Sequence, residues 1–238
     1  MTGNKSTYDE SKIKTLSSLE HIRLRTGMYI GRLGDGLSPD DGIYILLKEI
    51  IDNSVDEFIM GAGNQIVINL QGRRMRVRDY GRGIPLGKVI ECVSVINTGA
   101  KYNDDVFQFS VGLNGVGTKA VNALSSEFRV VSYREGHAFE AKFVRGLRVD
   151  SREFETREKT GTLVEFVPDE QIFGEYSFVL EFIEKRLWSY ACLNPGLKLS
   201  INGKEFQTEK GLQDLLSTEL GGRALYDIGW YRGDHIEF

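Results

Sequence analysis

Between positions 41 and 60, Ile43, Leu46, Leu47, Ile50, Ile51, Ser54 and Phe58 recur at helical spacing. Such a stripe predicts a helix with one face turned inward, and Gly61-Ala62-Gly63 stops it. Residues 65–70 and 75–79 switch to alternation, which predicts two strands joined across Gly72. Upstream, 17–25 fits a short helix ended by Gly27, and 28–40 reads as a loop. Downstream, 86–97 suggests a helix, and 98–117 a long loop carrying Gly99, Gly112, Gly115 and Gly117. A long loop inside a compact domain is usually functional, often a lid, and 118–124 reads as the helix after it. Strands follow over 127–134, 137–145 and 161–167, with a hairpin signal at Glu135-Gly136. An amphipathic helix over 176–193 is closed by Pro195; a hairpin at Asn202-Gly203 and a short helix over 209–219 complete the pattern. Helix, two strands, helix, lid, helix and then antiparallel strands predict an α+β sandwich rather than alternating βαβ units.

The polar stretch 1–15 contributes nothing to that core and is expected to be mobile. It also lacks the apolar run of a secretory signal, and no later run is long enough to cross a membrane. The two cysteines, Cys92 and Cys192, are far apart and without metal-like spacing, which suggests buried thiols in a reducing cytoplasm. A net charge of −4 excludes a surface that is basic throughout. Two local basic segments remain: Arg73, Arg74, Arg76 and Arg78, then Lys142, Arg145, Arg148 and Arg152. They read either as strand faces meeting solvent or as contacts to a nucleic-acid backbone. Near the end, Gly221, Gly222, Gly229 and Gly233 precede a new alternation at 235–238, the pattern of a chain continuing into another unit.

Three segments carry candidate chemistry. In the first helix Glu49, Asn53 and Asp56 share one side, with Asp52 and Glu57 beside them. The plain reading is a solvated polar face. The sharper one is an oxygen site for Mg²⁺ built on Asn53, with Glu49 one turn earlier able to deprotonate an attacking water. The second is Asp79-Tyr80-Gly81-Arg82-Gly83-Ile84-Pro85, an acid at a strand end before a tight turn. It is either turn chemistry or an acceptor for the exocyclic amine of adenine; guanine would present a carbonyl there and leave the acid unpaired. The third is Gly112-Leu113-Asn114-Gly115-Val116-Gly117-Thr118-Lys119, where glycine amides lead into a helix and can receive phosphate. Thr118 and Lys119 stand in the wrong order for a P-loop, and the glycine spacing is not that of a dinucleotide fold.

Taken in this order, the three segments resemble the GHKL ATPase superfamily, which spans gyrase-type topoisomerases, heat-shock chaperones, MutL-type repair proteins and histidine kinases. Arg25-Thr26-Gly27-Met28-Tyr29-Ile30-Gly31, Gly99-Ala100-Lys101-Tyr102, Val121-Asn122-Ala123-Leu124-Ser125 and Lys159-Thr160-Gly161-Thr162 narrow the resemblance to the B subunits of DNA gyrase and topoisomerase IV, over about Leu19 to Asn194. Gly99–Tyr102 together with Val111-Gly112-Leu113-Asn114 looks more like topoisomerase IV than gyrase. The resemblance implies the two-layer GHKL sandwich, a mixed and mostly antiparallel sheet with helices on one face. It implies an arm over 1–15, an ATP-binding domain over 16–220 and the start of a transducer domain over 221–238.

The same resemblance implies ATP and Mg²⁺ as cofactors. Glu49 matches the general base and Asn53 the Mg²⁺ ligand. Asp79 matches the adenine acid, helped by Thr162 through a water. Gly83, Ile84 and Pro85 match the adenine wall, with Arg82 over it and Glu57 beside it. Lys101 and the stretch Gly112, Leu113, Asn114, Gly115, Val116, Gly117 and Thr118 match the phosphate lid. Arg134 matches the pocket mouth, which ATP-competitive inhibitors also reach. Asn114, Ala100 and Phe107 depart from the commoner His, Gly and Tyr. The expected partners are an ATP-dependent second copy, a topoisomerase A subunit and double-stranded DNA, in the bacterial cytoplasm at the nucleoid and not at a membrane. A lysine from the following domain reaches the γ-phosphate in such enzymes, so this chain alone is expected to turn ATP over slowly. A MutL-type or chaperone ATPase and a non-catalytic, nucleotide-gated dimerisation module are the alternatives.

Overall fold

The computed structural model describes residues 15–98 and 115–231, with 233 and 236. Helix α1, Ser18–Leu24, starts with a reciprocal cap: the Ser17 hydroxyl accepts from Glu20 N at 3.3 Å, and the Glu20 carboxylate accepts from Ser17 N at 2.8 Å. Gly27 does not simply end it. A second short helix, α2, runs over Gly27–Ile30 and takes the first residues expected to be loop. Helix α3, Gly42–Ile59, buries the whole expected stripe except Phe58, which is half-buried. It also buries Tyr44, Asp52, Val55 and Asp56, so the polar side of this helix is not a solvated face.

Eight strands form one sheet: β1 Gln65–Gln71, β2 Arg74–Asp79, β3 Ser125–Arg134, β4 His137–Val144, β5 Leu147–Glu155, β6 Gly161–Pro168, β7 Lys198–Ile201 and β8 Lys204–Phe206. Their order is β5-β4-β3-β6-β2-β1-β7-β8. Every neighbouring pair is antiparallel except β1 with β7. Both expected hairpin turns place two successive residues at positive φ, Glu135 and Gly136 at 52° and 81°, Asn202 and Gly203 at 48° and 86°. This twist matches that of the flanking strands. A third turn of the same kind, Arg145-Gly146, leads into β5, a strand the sequence did not disclose because eight of its nine residues are exposed. With water on both faces there is no alternation to read.

Helices α4 (Val89–Ser94), α5 (Gly117–Ala123), α6 (Glu170–Phe173), α7 (Leu180–Leu193) and α8 (Leu212–Leu220) complete the described elements, with a 3-10 turn at Leu86–Lys88 before α4. Alternation on β2 turns Met75, Val77 and Asp79 to the helix layer, where Met75 and Val77 join α3, α5 and α7 in one core. Arg74, Arg76 and Arg78 therefore point to the opposite face. That face carries a small cluster of Val131, Tyr133, Ala138 and Leu163 with Phe154, flanked by ion pairs: Arg74–Glu127 at 2.6 Å, Arg129–Glu165 at 2.6 Å and Arg152–Glu140 at 2.6 Å. Arg129 also meets Glu140, and Lys142 meets Asp150 at 3.5 Å. Of the basic segments, Arg74, Lys142 and Arg152 lie on strands and meet the chain's own carboxylates, whereas Arg78 is buried. Among the described residues no helix is long and apolar enough to cross a membrane.

Candidate functional site

The sheet delivers Asp79 to the C-terminal end of β2, 7% exposed, beneath α3. Its Oδ1 accepts from the backbone N–H of Gly81 at 2.9 Å and of Thr162 at 3.0 Å. Its Oδ2 faces the Ser54 hydroxyl at 3.5 Å, while that hydroxyl also reaches the Ile50 carbonyl at 3.2 Å. One carboxylate oxygen is thus fixed by protein amides and the other is only weakly held. Burial pushes the Asp79 pKa up to about 6, against the two backbone N–H groups and Arg78, which hold it down; Glu57 adds a smaller upward push. The turn leaves no room for side chains. A Cβ on Gly81 would lie 2.7 Å from Glu57 Cβ, and one on Gly83, at φ +70°, would lie 2.8 Å from the Tyr133 carbonyl.

The rest of the turn is tied in place. Ser132 Oγ donates to the Ile84 carbonyl at 2.6 Å, and Arg134 Nη1 approaches the Gly83 carbonyl at 3.5 Å. Glu57 accepts from Arg82 three times, from N at 2.8 Å, Nε at 3.0 Å and Nη2 at 2.9 Å. This fork raises the Arg82 pKa and anchors its guanidinium to α3. Pro85 follows at the start of the 3-10 turn.

The second group lies one to two turns earlier on α3. Asn53 Nδ2 donates to the Glu49 carbonyl at 2.7 Å and to Thr118 Oγ1 at 3.0 Å, which joins α3 to α5. Gly117, the first residue of α5, packs directly on Glu49: a Cβ there would overlap Oε2 and come within 2.8 Å of Cδ. Gly115, at φ +60°, and Val116 lead into this helix. Lys119 is buried and donates to the Thr98 carbonyl at 2.7 Å. Lys101, Gly112, Leu113 and Asn114, with Ala100 and Phe107, lie outside the described residues, as does the arm apart from Thr15.

Sequence reasoning missed two contributors, Ser54 and Ser132, and gave Asp52 no role beyond the polar side of α3. Ser54 and Ser132 stand out only once the strands are aligned. Asp52, 2% exposed, pairs with Lys48 and accepts from Tyr190 of α7; burial and this acid raise the tyrosine's pKa. Among the described residues no group of three or more His, Cys, Asp or Glu side chains is arranged to hold a metal. Asn53, whose Nδ2 is turned to the Glu49 carbonyl and Thr118, carries an amide oxygen of the kind that would complete a cation held largely by phosphate and water.

This arrangement, an acid fixed under a helix beside a glycine turn and a second helix start packed on Glu49, coincides with a known family. The profile of the histidine kinase-, DNA gyrase B- and HSP90-like ATPases matches residues 39–172. The chain belongs to that family. It is 63% identical over 232 residues to the B subunit of DNA topoisomerase 4 from Borreliella burgdorferi, covering 97% of this chain and 39% of that protein. It is 37% identical to the B subunit of DNA gyrase from Thermotoga maritima, covering 93% and 37%. Among solved structures, the 43K ATPase domain of Thermus thermophilus gyrase B in complex with an aminocoumarin superposes with a TM-score of 0.76 at 33% identity, covering 93% of this chain and 61% of that one. The expected sandwich, mixed sheet and gyrase-like fold are therefore found. The chain spans 39% and 37% of the length of the two curated relatives.

Proposed function

We propose that this chain binds ATP with Mg²⁺ and hydrolyses it as the ATPase domain of a type II topoisomerase B subunit, of the topoisomerase IV type. The observation that carries the reading is the buried Asp79 carboxylate, fixed on one oxygen by Gly81 and Thr162 with the other held only by Ser54 at 3.5 Å. An ionised carboxylate only accepts, so it suits the adenine amine and disfavours the guanine carbonyl. Gly83, Ile84 and Pro85 form the wall beside the base, Thr162 helps Asp79 to hold it, and Arg134 lies at the mouth, where an aminocoumarin-type inhibitor also fits. Asn53 holds the cation with phosphate and water. Gly115, Val116, Gly117 and Thr118, with Lys101, Gly112, Leu113 and Asn114, cover the phosphates. Glu49 takes the proton from the attacking water. The cation supplies charge neutralisation at the phosphates.

In the whole protein this domain drives ATP-dependent pairing of two B subunits, through an arm over 1–15. A transducer domain beginning within 221–238 and an A subunit then pass double-stranded DNA, in the bacterial cytoplasm. The 63% identity to a topoisomerase 4 relative supports that type over gyrase. Calorimetry with a non-hydrolysable ATP analogue and Mg²⁺, against the GTP analogue, tests the site. Binding selective for adenine, abolished by Asp79→Asn and kept by Glu49→Gln while hydrolysis drops by about 10²–10⁴, supports it. Equal affinity for the guanine analogue sinks the adenine assignment; undiminished hydrolysis by Glu49→Gln sinks the base.

A further inference from the structure

Arg78 lies one residue before the adenine acid and on the other face of the sheet. The alternation of β2 sends Asp79 under α3 and Arg78 outward, so the guanidinium cannot reach a nucleotide bound in the pocket. It is nevertheless 7% exposed. Its carbon sits 4.6 Å from the Tyr80 ring centre and 4.5 Å from that of Tyr133, a cation held between two aromatic plates. From there Nη1 donates to the Asp79 carbonyl and Nη2 to the Lys159 carbonyl. Both acceptors matter to the pocket: the first is the backbone of the adenine acid, and the second belongs to the segment running into Gly161 and Thr162. Gly161 adopts φ +137°, and a Cβ there would collide with the Asp79 carbonyl and with Arg78 Nη1. The junction of β2 and β6 is therefore built around this one guanidinium.

We infer that Arg78 is a positioning residue for adenine recognition, its guanidinium clamping the Asp79 and Thr162 segments from behind and setting its charge behind the Asp79 carboxylate. The inference rests on the assignment of Asp79 to adenine. The charged groups that act on Asp79 are Arg78 and, from α3, Glu57, whose charge is taken up by Arg82. From β6 it meets the neutral backbone of Thr162, and from α3 also the neutral Ser54 hydroxyl. Arg78 is thus the principal cation favouring its charged form.

The test is the ratio of dissociation constants, Arg78→Gln over wild type, for a non-hydrolysable ATP analogue between pH 6 and 8.5. The ligand's own titration cancels in that ratio. Loss of the positive charge raises the Asp79 midpoint above about 6, so binding weakens severalfold more at pH 6 than at pH 8.5. Arg78→Lys, which keeps the charge, leaves the ratio flat. A loss of equal size at every pH, or no loss, overturns the inference. If Arg78→Gln does not fold, Tyr80→Leu removes one plate of the stack and is expected to move the midpoint the same way by a smaller amount; an unmoved midpoint is then the overturning result. Asp79→Asn is measured alongside. If it binds as wild type does, the adenine assignment itself has failed; if it loses binding while the Arg78 profile stays parallel to wild type, only the present inference has.

Discussion

Asp79 is costly to the fold that holds it. An acid whose pKa rises from 3.8 in the unfolded chain to about 6 in the folded one binds its proton more tightly when folded. Above about 6 the folded protein carries a buried charge that the unfolded chain exposes to water, so folding is opposed there. As pH falls from about 6 toward 3.8 the penalty is relieved. Asp79→Asn removes it altogether: the amide oxygen still accepts from Gly81 and Thr162, and the amide nitrogen can donate to Ser54. We therefore expect the variant that loses nucleotide to be more stable than wild type at pH 7.5, by about 1–3 kcal/mol, with the gap narrowed by about half at pH 5. Denaturant midpoints at the two pH values decide it; a variant less stable at pH 7.5 contradicts the burial account. At this scale residue type alone pointed to Asp79, Glu49 and Asn53, and the structure sets Asp79 beneath α3 and Asn53 against the Glu49 carbonyl and Thr118. The sequence was silent on Ser54 and Ser132, whose contacts are set by elements far apart in the chain. It misread Arg78, because a strand-face arginine and a buried clamp have the same alternation.

Elements show a related division. Helix α3 was legible because a buried stripe writes its period into the sequence, and the Asn202-Gly203 and Glu135-Gly136 turns because positive φ selects those residues. Strand β5 was not, since an exposed edge strand has no inside to mark. The docking of α5 on α3 also follows from no periodicity; it rests on Gly117, where the absence of a side chain lets Glu49 pack against the helix start. Gly117→Ala tests how much that fit matters. Gly117 does not need a positive φ and alanine favours helix, so the variant should fold with stability unchanged or improved by up to about 1 kcal/mol. The new methyl displaces the flexible end of Glu49, and a misplacement of about 1 Å can cost about a hundredfold in rate. Hydrolysis should therefore fall at least tenfold, to order of magnitude, and by more than any loss in binding of the ATP analogue. Full hydrolysis in a folded variant would mean that the Glu49 carboxylate does not act from this position.

At the scale of the whole molecule the two faces of the sheet have separate tasks. The helix face holds the pocket. The opposite face has arginines that first suggested nucleic acid, yet Arg74 and Arg152 are ion-paired with Glu127 and Glu140, and Arg129 beside them with Glu165. Arg145 meets Asp169, which Arg23 also holds, at 3.0 and 2.7 Å. The Arg74–Glu127 pair is exposed and adds little stability, whereas Glu140 and Asp169 are buried under their arginines; each pair occupies a cation that a phosphate would otherwise recruit, and the chain carries a net charge of −4. Neutralising several phosphates would require these pairs to open. DNA engagement by the proposed full protein is therefore expected on surfaces beyond this sheet face. The slope of log affinity against log salt falls by about 0.9 for each phosphate contacted. Fluorescence anisotropy with a short duplex should give this chain a slope shallower than about −2 and no sequence preference. Glu127→Gln and Glu140→Gln together should steepen it, by releasing Arg74 and Arg152. A steep slope in the unmodified chain would mean instead that the pairs open readily and that the face is a DNA surface after all.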